Sequence, residues 1–210
     1  MGVFSTILQA GLSRGHIPAK TQAARNWYRE AAKNYGGRIR ASGPNAGRVD
    51  YGRINETSFM RENQSQLATS VLPGNMYMYM YDPKHKDTLP FYDRFPLIFP
   101  IHIAKDRFWG INIHYLPLPM RAMLLDALYD LTNNKKFDET TKLKLSYQIL
   151  NKAAKFKWFK PCVKCYLKSH MRSRPLYILP EQWDVAIFLP VERFSKANKS
   201  QVWADSKSKI

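Results

Sequence analysis

Acidic residues are scarce in this chain: 16 Asp and Glu stand against 33 Lys and Arg, a formal net charge of +17 over 210 residues. Self-repulsion on that scale is tolerated when a polyanion or an acidic partner is at hand, so nucleic acid is the first suspect. A solvated basic surface, or one that docks on an acidic protein, is the plainer alternative. Cysteine is nearly absent, Cys162 and Cys165 being the two. That excludes a disulfide scaffold and suits a reducing compartment. No apolar run approaches the roughly 18 residues needed to span a membrane. The opening MGVFSTILQAGLSRG lacks a basic n-region and an A-x-A-like cleavage site, so no signal peptide is expected. Glycine is sparse, ten in all, and five of the ten lie between positions 36 and 52.

What the chain has is an aromatic, proline-punctuated stretch at 74–116. Residues 76–81 read Met-Tyr-Met-Tyr-Met-Tyr. In a strand the three Met side chains point to one face and the three Tyr to the other, and a strand that is bulky on both faces is covered on both. Phe95–Ile101 and Phe108–Leu116 are two further strand candidates. Pro96 and Pro100 place the first at a sheet edge or at a bulge. The fold class expected is α+β: a small antiparallel sheet at 74–116, packed by helices drawn from 118–190, with an extended basic N-terminal arm.

Three regions follow from this. Residues 1–70 are read as an N-terminal helix and arm, 71–194 as the α+β core and 195–210 as a basic tail anchored by Phe194 and Trp203. In the first region, 20–35 is patterned as a helix with Thr21 as N-cap, an apolar face of Ala24, Trp27, Tyr28 and Ala31, and Arg25, Arg29 and Lys33 on another face. The Gly-, Ser- and Arg-rich stretch 36–75 reads as an extended arm or linker. Trp27, Arg29, Arg38, Arg40, Arg48 and Arg53 are the candidate protein-partner contacts. In the core, 118–131 is a helix whose apolar face is Met120, Met123, Leu124, Ala127, Leu128 and Leu131. Asp138 caps a second helix, 138–155, with Leu143, Leu145, Tyr147, Ile149 and Leu150 as its apolar residues. Residues 176–190 read as a short strand and a short helix from Pro180.

Between Thr140 and Arg174 there are ten Lys and Arg and no acid. Lys152, Lys155, Lys157, Lys160, Lys164, Lys168, Arg172 and Arg174 alternate there with aromatic residues. Charge of this kind holds a phosphate backbone and rings stack on bases. The candidate nucleic-acid contacts are these eight cations with Trp158 and Tyr166 as stacking rings. The spacing is irregular, so any such contact would be independent of sequence.

Signals for chemistry are weak. Pro161-Cys162-Val163-Lys164-Cys165 is half of a zinc-deaminase signature, but no H-x-E precedes it. The pair is better read as two thiols on a helix, Cys165 half-buried and inert. There is no Gly-rich phosphate loop, no G-x-S-x-G and no H-E-x-x-H. An enzyme is not expected, nor a metal, nor a cofactor.

Four strings are specific as a family marker: YDPKHKDTLPFYDRFPLIFPI (81–101), GINIHYLPLPMRAMLLDALYD (110–130), FKPCVKCYLKSHMRSR (159–174) and EQWDVAIFLPVERF (181–194). Through them the chain resembles small virion proteins of large contractile-tailed bacteriophages, the DNA end protector-like family, over roughly residues 70–206. The resemblance implies a structural role in the virion, assembled in the bacterial host cytoplasm. Its partners would be other virion proteins (portal, neck, tail or baseplate) and double-stranded DNA at the genome end near the head–tail gateway, with no membrane involved. The alternative it leaves open is a tail or baseplate subunit whose N-terminal arm holds neighbouring proteins together.

Overall fold

The computed structural model describes residues 2–35, 54–132, 136 and 138–209. The chain divides into two units, one of residues 1–65 with 179–191, the other of 66–178 with 192–210.

The first unit is helical. Helix α1 (Val3–Leu12) buries Val3, Phe4, Ile7 and Gly11, and α2 (Gln22–Lys33) starts where Thr21 Oγ1 accepts from Ala24 N at 3.1 Å. The two meet at Tyr28, whose hydroxyl donates to the carbonyls of His16 (2.8 Å) and Leu8 (3.3 Å). A Cβ on Gly11 would fall 2.2 Å from that hydroxyl, so only glycine admits the ring. Helix α3 (Glu56–Glu62) is capped by Asn55 and sets Phe59 edge-on against Phe4. The segment 54–62, expected within an extended arm, is therefore largely helical. The span 36–53, with Arg38, Arg40, Arg48 and Arg53, lies outside the described residues.

Residues 179–191 return to this unit as a 3-10 turn (Pro180–Gln182) and the short α4 (Trp183–Ala186), burying Trp183, Val185, Ile187 and Leu189. Arg29 is buried and pairs with Asp184 at 2.6 Å. This corrects the expected face of α2. Arg25 and Arg29 lie on its buried side, so Arg29 is a structural residue and not a free partner contact. Trp27 is half-buried and stacks on His16 at 5.1 Å.

The second unit carries a five-stranded antiparallel sheet. Its strands are β1 (Met76–Met78), β3 (Leu97–Ile103), β4 (Arg107–Asn112), β5 (Val163–Leu167) and β6 (Leu176–Ile178), in the order β5-β4-β3-β1-β6. A separate ribbon pairs β2 (Tyr92–Asp93) with β7 (Phe194–Ser195). The Met and Tyr residues of β1 and its continuation are covered on both faces, as the alternation predicts: Met76, Met78, Tyr77, Tyr79 and Tyr81 are all buried. Tyr79 is ringed by Tyr81, Phe108 and Tyr166, with centroids 5.6–6.1 Å away. The strand containing Pro100 is central, not an edge. Pro100 is accommodated by a register shift between Pro100 and His102. Opposite it stands Gly110, where a Cβ would lie 2.9 Å from the Phe99 carbonyl oxygen.

Helices α5 (Leu118–Thr132) and α6 (Glu139–Lys155) follow the sheet's hairpin, and α7 (Lys199–Ser208) follows β7. The buried side of α5 is Arg121, Leu124, Leu125, Leu128 and Tyr129, while Met123 is 63% exposed and Ala127 is on the surface. The expected face was rotated because Arg121 is inside. Residues 195–209, expected as a tail, hold the end of β7 and α7, which starts with a reciprocal cap between Asn198 and Gln201.

A buried polar cluster ties β2 to the sheet. The Asp93 carboxylate accepts from Phe95 N (3.0 Å) and Asn112 Nδ2 (3.1 Å), and sits 2.8 Å from His114 Nδ1. Burial pushes the Asp93 carboxyl up, but the His114 imidazole and these hydrogen bonds more than offset it and hold the group below the usual carboxylate range. A depressed carboxyl contributes stability that is present above its unfolded value, about 4, and lost as pH falls through the folded value. Urea midpoints measured between neutral and acid pH are therefore expected to drop below about pH 4. In Asp93→Asn that part of the drop, up to about 1.4 kcal/mol per pH unit, should vanish.

Candidate nucleic-acid interface

The basic block is carried by the end of α6 and the loop that leads into β5. Asp138 starts α6, its carboxylate accepting from Thr141 N at 2.8 Å and Thr141 Oγ1 at 2.9 Å. Lys152 and Lys155 occupy the last turn, where cations suit the negative end of the helix dipole. The chain then turns tightly: Phe159 N and Lys160 N both donate to the Phe156 carbonyl, at 2.9 and 3.0 Å. A 3-10 turn over Lys160–Cys162, with Pro161 near its start, completes the loop.

Two side chains pin this loop from inside. Phe159 and Cys162 are buried, and desolvation pushes the Cys162 thiol up to about 12. With those positions turned inward, the residues just before Phe159, and Lys160, face solvent. Phe156 is 56% and Trp158 38% exposed, and Lys152, Lys155, Lys157 and Lys160 are all exposed. Lys157 Nζ stands 5.5 Å from the Trp158 centroid. Among the described residues none of these four lysines makes an ion pair. Four exposed cations and two exposed rings thus follow one another over the last turn of α6 and the fixed loop. They can neutralise phosphates and offer a stacking surface without reading base edges.

The other predicted contacts are used differently. Tyr166 is buried, accepts from Asn112 Nδ2 at 2.9 Å and stacks on Phe108, so it is a core residue and not a stacking ring for a base. Lys164 shares that face of β5. Its ammonium lies 4.2 Å over the Tyr115 ring, and desolvation lowers its pKa. Lys168 donates to the carbonyls of Ala104 and Lys105, Arg172 pairs with Asp82 at 3.0 Å, and Arg174 donates to the carbonyls of Leu67 and Ala68. These three remain on the surface but fasten loops to the sheet. The cysteines are not on a helix, as expected of them: Cys162 ends a 3-10 turn and is buried, while Cys165, expected half-buried, is on a strand and exposed.

Two exposed rings were missed. Phe156 follows the last turn of α6, and Tyr147, expected on the apolar side of that helix, is exposed beside Lys144 and Gln148. The signal was the buried Ser146, four residues before the buried Leu150, which marks the packed face by a small residue instead of a large one. Among the described residues no group of three or more His, Cys, Asp or Glu is placed to hold a metal ion.

Residues 55–207 match the family described as Phage T4 terminal DNA protecting protein. The chain belongs to that family. The matched span holds the whole sheet, the pinned loop with its four lysines, and all but the last residue of α7. Helices α1 and α2 precede it. Neither the curated proteins nor the solved structures contain a match to this chain. No helix among the described residues is long and apolar enough to cross a membrane.

Proposed function

We propose that this protein is a non-enzymatic structural component of a tailed-phage virion that binds double-stranded DNA at the genome end, without sequence preference, near the head–tail gateway. One observation carries the reading: Lys152 and Lys155 at the end of α6, and Lys157 and Lys160 on the loop fixed by Phe159 and Cys162, stand exposed near the exposed Phe156 and Trp158 in sequence, with no ion pair among the described residues. Family membership supports it, since the family is described by a protein that protects terminal DNA. Portal, neck or tail proteins would be its neighbours, and Trp27 is the remaining described candidate for such a contact. Lys168, Arg172 and Arg174 extend the positive field without offering free donors of the same kind.

The test is binding to a blunt duplex across a salt series. Four neutralised phosphates give a slope of log K against log salt of about −3.6, since each released counterion contributes about −0.9. A slope near that value, equal for duplexes of unrelated sequence, is the expected result. Weak binding with little salt dependence would instead assign the charge to assembly and favour the tail or baseplate role.

A further inference from the structure

Beside the pinned loop lies a cavity of about 230 Å³, walled by Tyr115, Pro117, Met120, Trp158 and Trp203, with Lys207 at its edge. It is smaller than the roughly 300–1,000 Å³ pockets that enclose drug-sized ligands, so it has room for one flat ring system and not for a base pair. Its walls differ in kind. Trp203 is fixed: its Nε1 donates to the His114 carbonyl at 2.9 Å and the Arg121 guanidinium lies 5.6 Å from its centroid. Trp158 belongs to the exposed loop. Cations attend the aromatic walls: Lys157 at Trp158 (5.5 Å), Lys199 at Trp203 (5.8 Å) and Lys164 at Tyr115 (4.2 Å). The acid nearby, Asp205, is engaged by Lys209 at 2.6 Å.

We infer that this cavity receives the terminal nucleobase of a DNA end, with Lys157, Lys199 and Lys207 holding the phosphates next to it. An apolar cavity lined by two indoles suits a π-face, and the ammonium groups near those walls suit the anionic chain attached to it. A base inside a duplex is stacked and paired on both sides and cannot enter without extrusion, whereas a terminal base leaves its stack at lower cost. The cavity therefore confers preference for ends over duplex interior, which the lysine surface alone cannot do. The inference rests on the DNA-binding reading above.

The test compares a short duplex with two flush ends and the same duplex closed at both ends by hairpin loops, at one salt concentration. The intact protein is expected to favour the open duplex by about tenfold, the value of one stacked base. Trp158→Ala should bring the ratio close to one, and Trp158→Phe should keep most of it. Ala204→Trp fills the cavity from an exposed rim position on α7 and should also abolish the ratio, without removing any wall. Equal binding of open and closed duplexes by the intact protein would overturn the inference and leave the lysine surface standing. A ratio that survives in Trp158→Ala and Ala204→Trp would overturn it as well, as would self-association that Ala204→Trp abolishes. If neither duplex binds, the DNA-binding reading falls and the inference with it.

Discussion

Replacing Lys152, Lys155, Lys157 and Lys160 together by glutamate is expected to remove most of the salt-dependent DNA binding. The slope of log K against log salt should shrink by about 3.6, about 0.9 for each phosphate that is no longer neutralised. Relative to a reference near 1 M salt, four neutralised phosphates carry on the order of a thousandfold in affinity at about 0.1 M, and charge reversal adds repulsion to that loss. The fold should be indifferent to the change, because all four side chains are exposed and none makes an ion pair with another described residue. A circular dichroism melt of the variant checks this. The control is Lys168→Glu, whose ammonium donates to two carbonyls. It should perturb the sheet's loops while leaving most of the slope in place. A quadruple variant that melts normally and still binds with an unchanged slope would remove the pinned loop as the interface.

Arg121→Ala is expected to destabilise the sheet unit by about 3–5 kcal/mol, the cost of leaving a buried charge without its partner. Arg121 is 1% exposed. Its guanidinium donates to Leu116 O (2.8 Å), His114 O (3.2 Å) and Glu192 Oε1 (2.7 Å). Burial pushes the Glu192 carboxyl up, but Arg121 outweighs this and keeps the group below the usual range. Removing the arginine strands that carboxylate and takes a donor from the Leu116 and His114 carbonyls, of which His114 keeps Trp203 Nε1. Set against a typical total of about 5–15 kcal/mol, the loss is a large fraction of the stability. Urea unfolding measures it. Arg121→Met with Glu192→Gln should recover much of the loss, because replacing both charges removes the stranded group instead of exposing it. A single-variant cost under about 1 kcal/mol would mean that the pair behaves like a surface ion pair.

Local signals were legible where one residue decides an outcome. Thr21 and Asp138 cap the helices predicted from them, and the Met/Tyr alternation gave a strand covered on both faces. What failed was burial of charge. Arg29 and Arg121 look like surface residues in a helical pattern, and each is inside because a carboxylate distant in sequence, Asp184 or Glu192, meets it there. No local period announces such a partner. The candidate interface split for a related reason. Read as one irregular block, 152–174 hides a change from helix to strand. In β5 the side chains at 164 and 166 share a face, so once Tyr166 enters the core Lys164 is drawn inward with it, while Cys165 turns out. Among the described residues, the cations before the strand are the ones of this block that fasten neither a loop nor a carboxylate.

The return of residues 179–191 to the helical unit sets a timetable for synthesis. Arg29 meets Asp184 across 155 positions of chain. At about 5–20 residues per second, a ribosome needs roughly 8–30 s to reach the second after the first. During that interval α1 and α2 exist without Trp183, Val185 or Ile187, and the guanidinium has no carboxylate to meet. The sheet unit in turn waits for α7, which is made after Asp184. Both units thus stay incomplete until residues 179–208 have been made. A nascent chain stalled short of Asp184 would present the apolar sides of α1 and α2 to the chaperones around the tunnel exit.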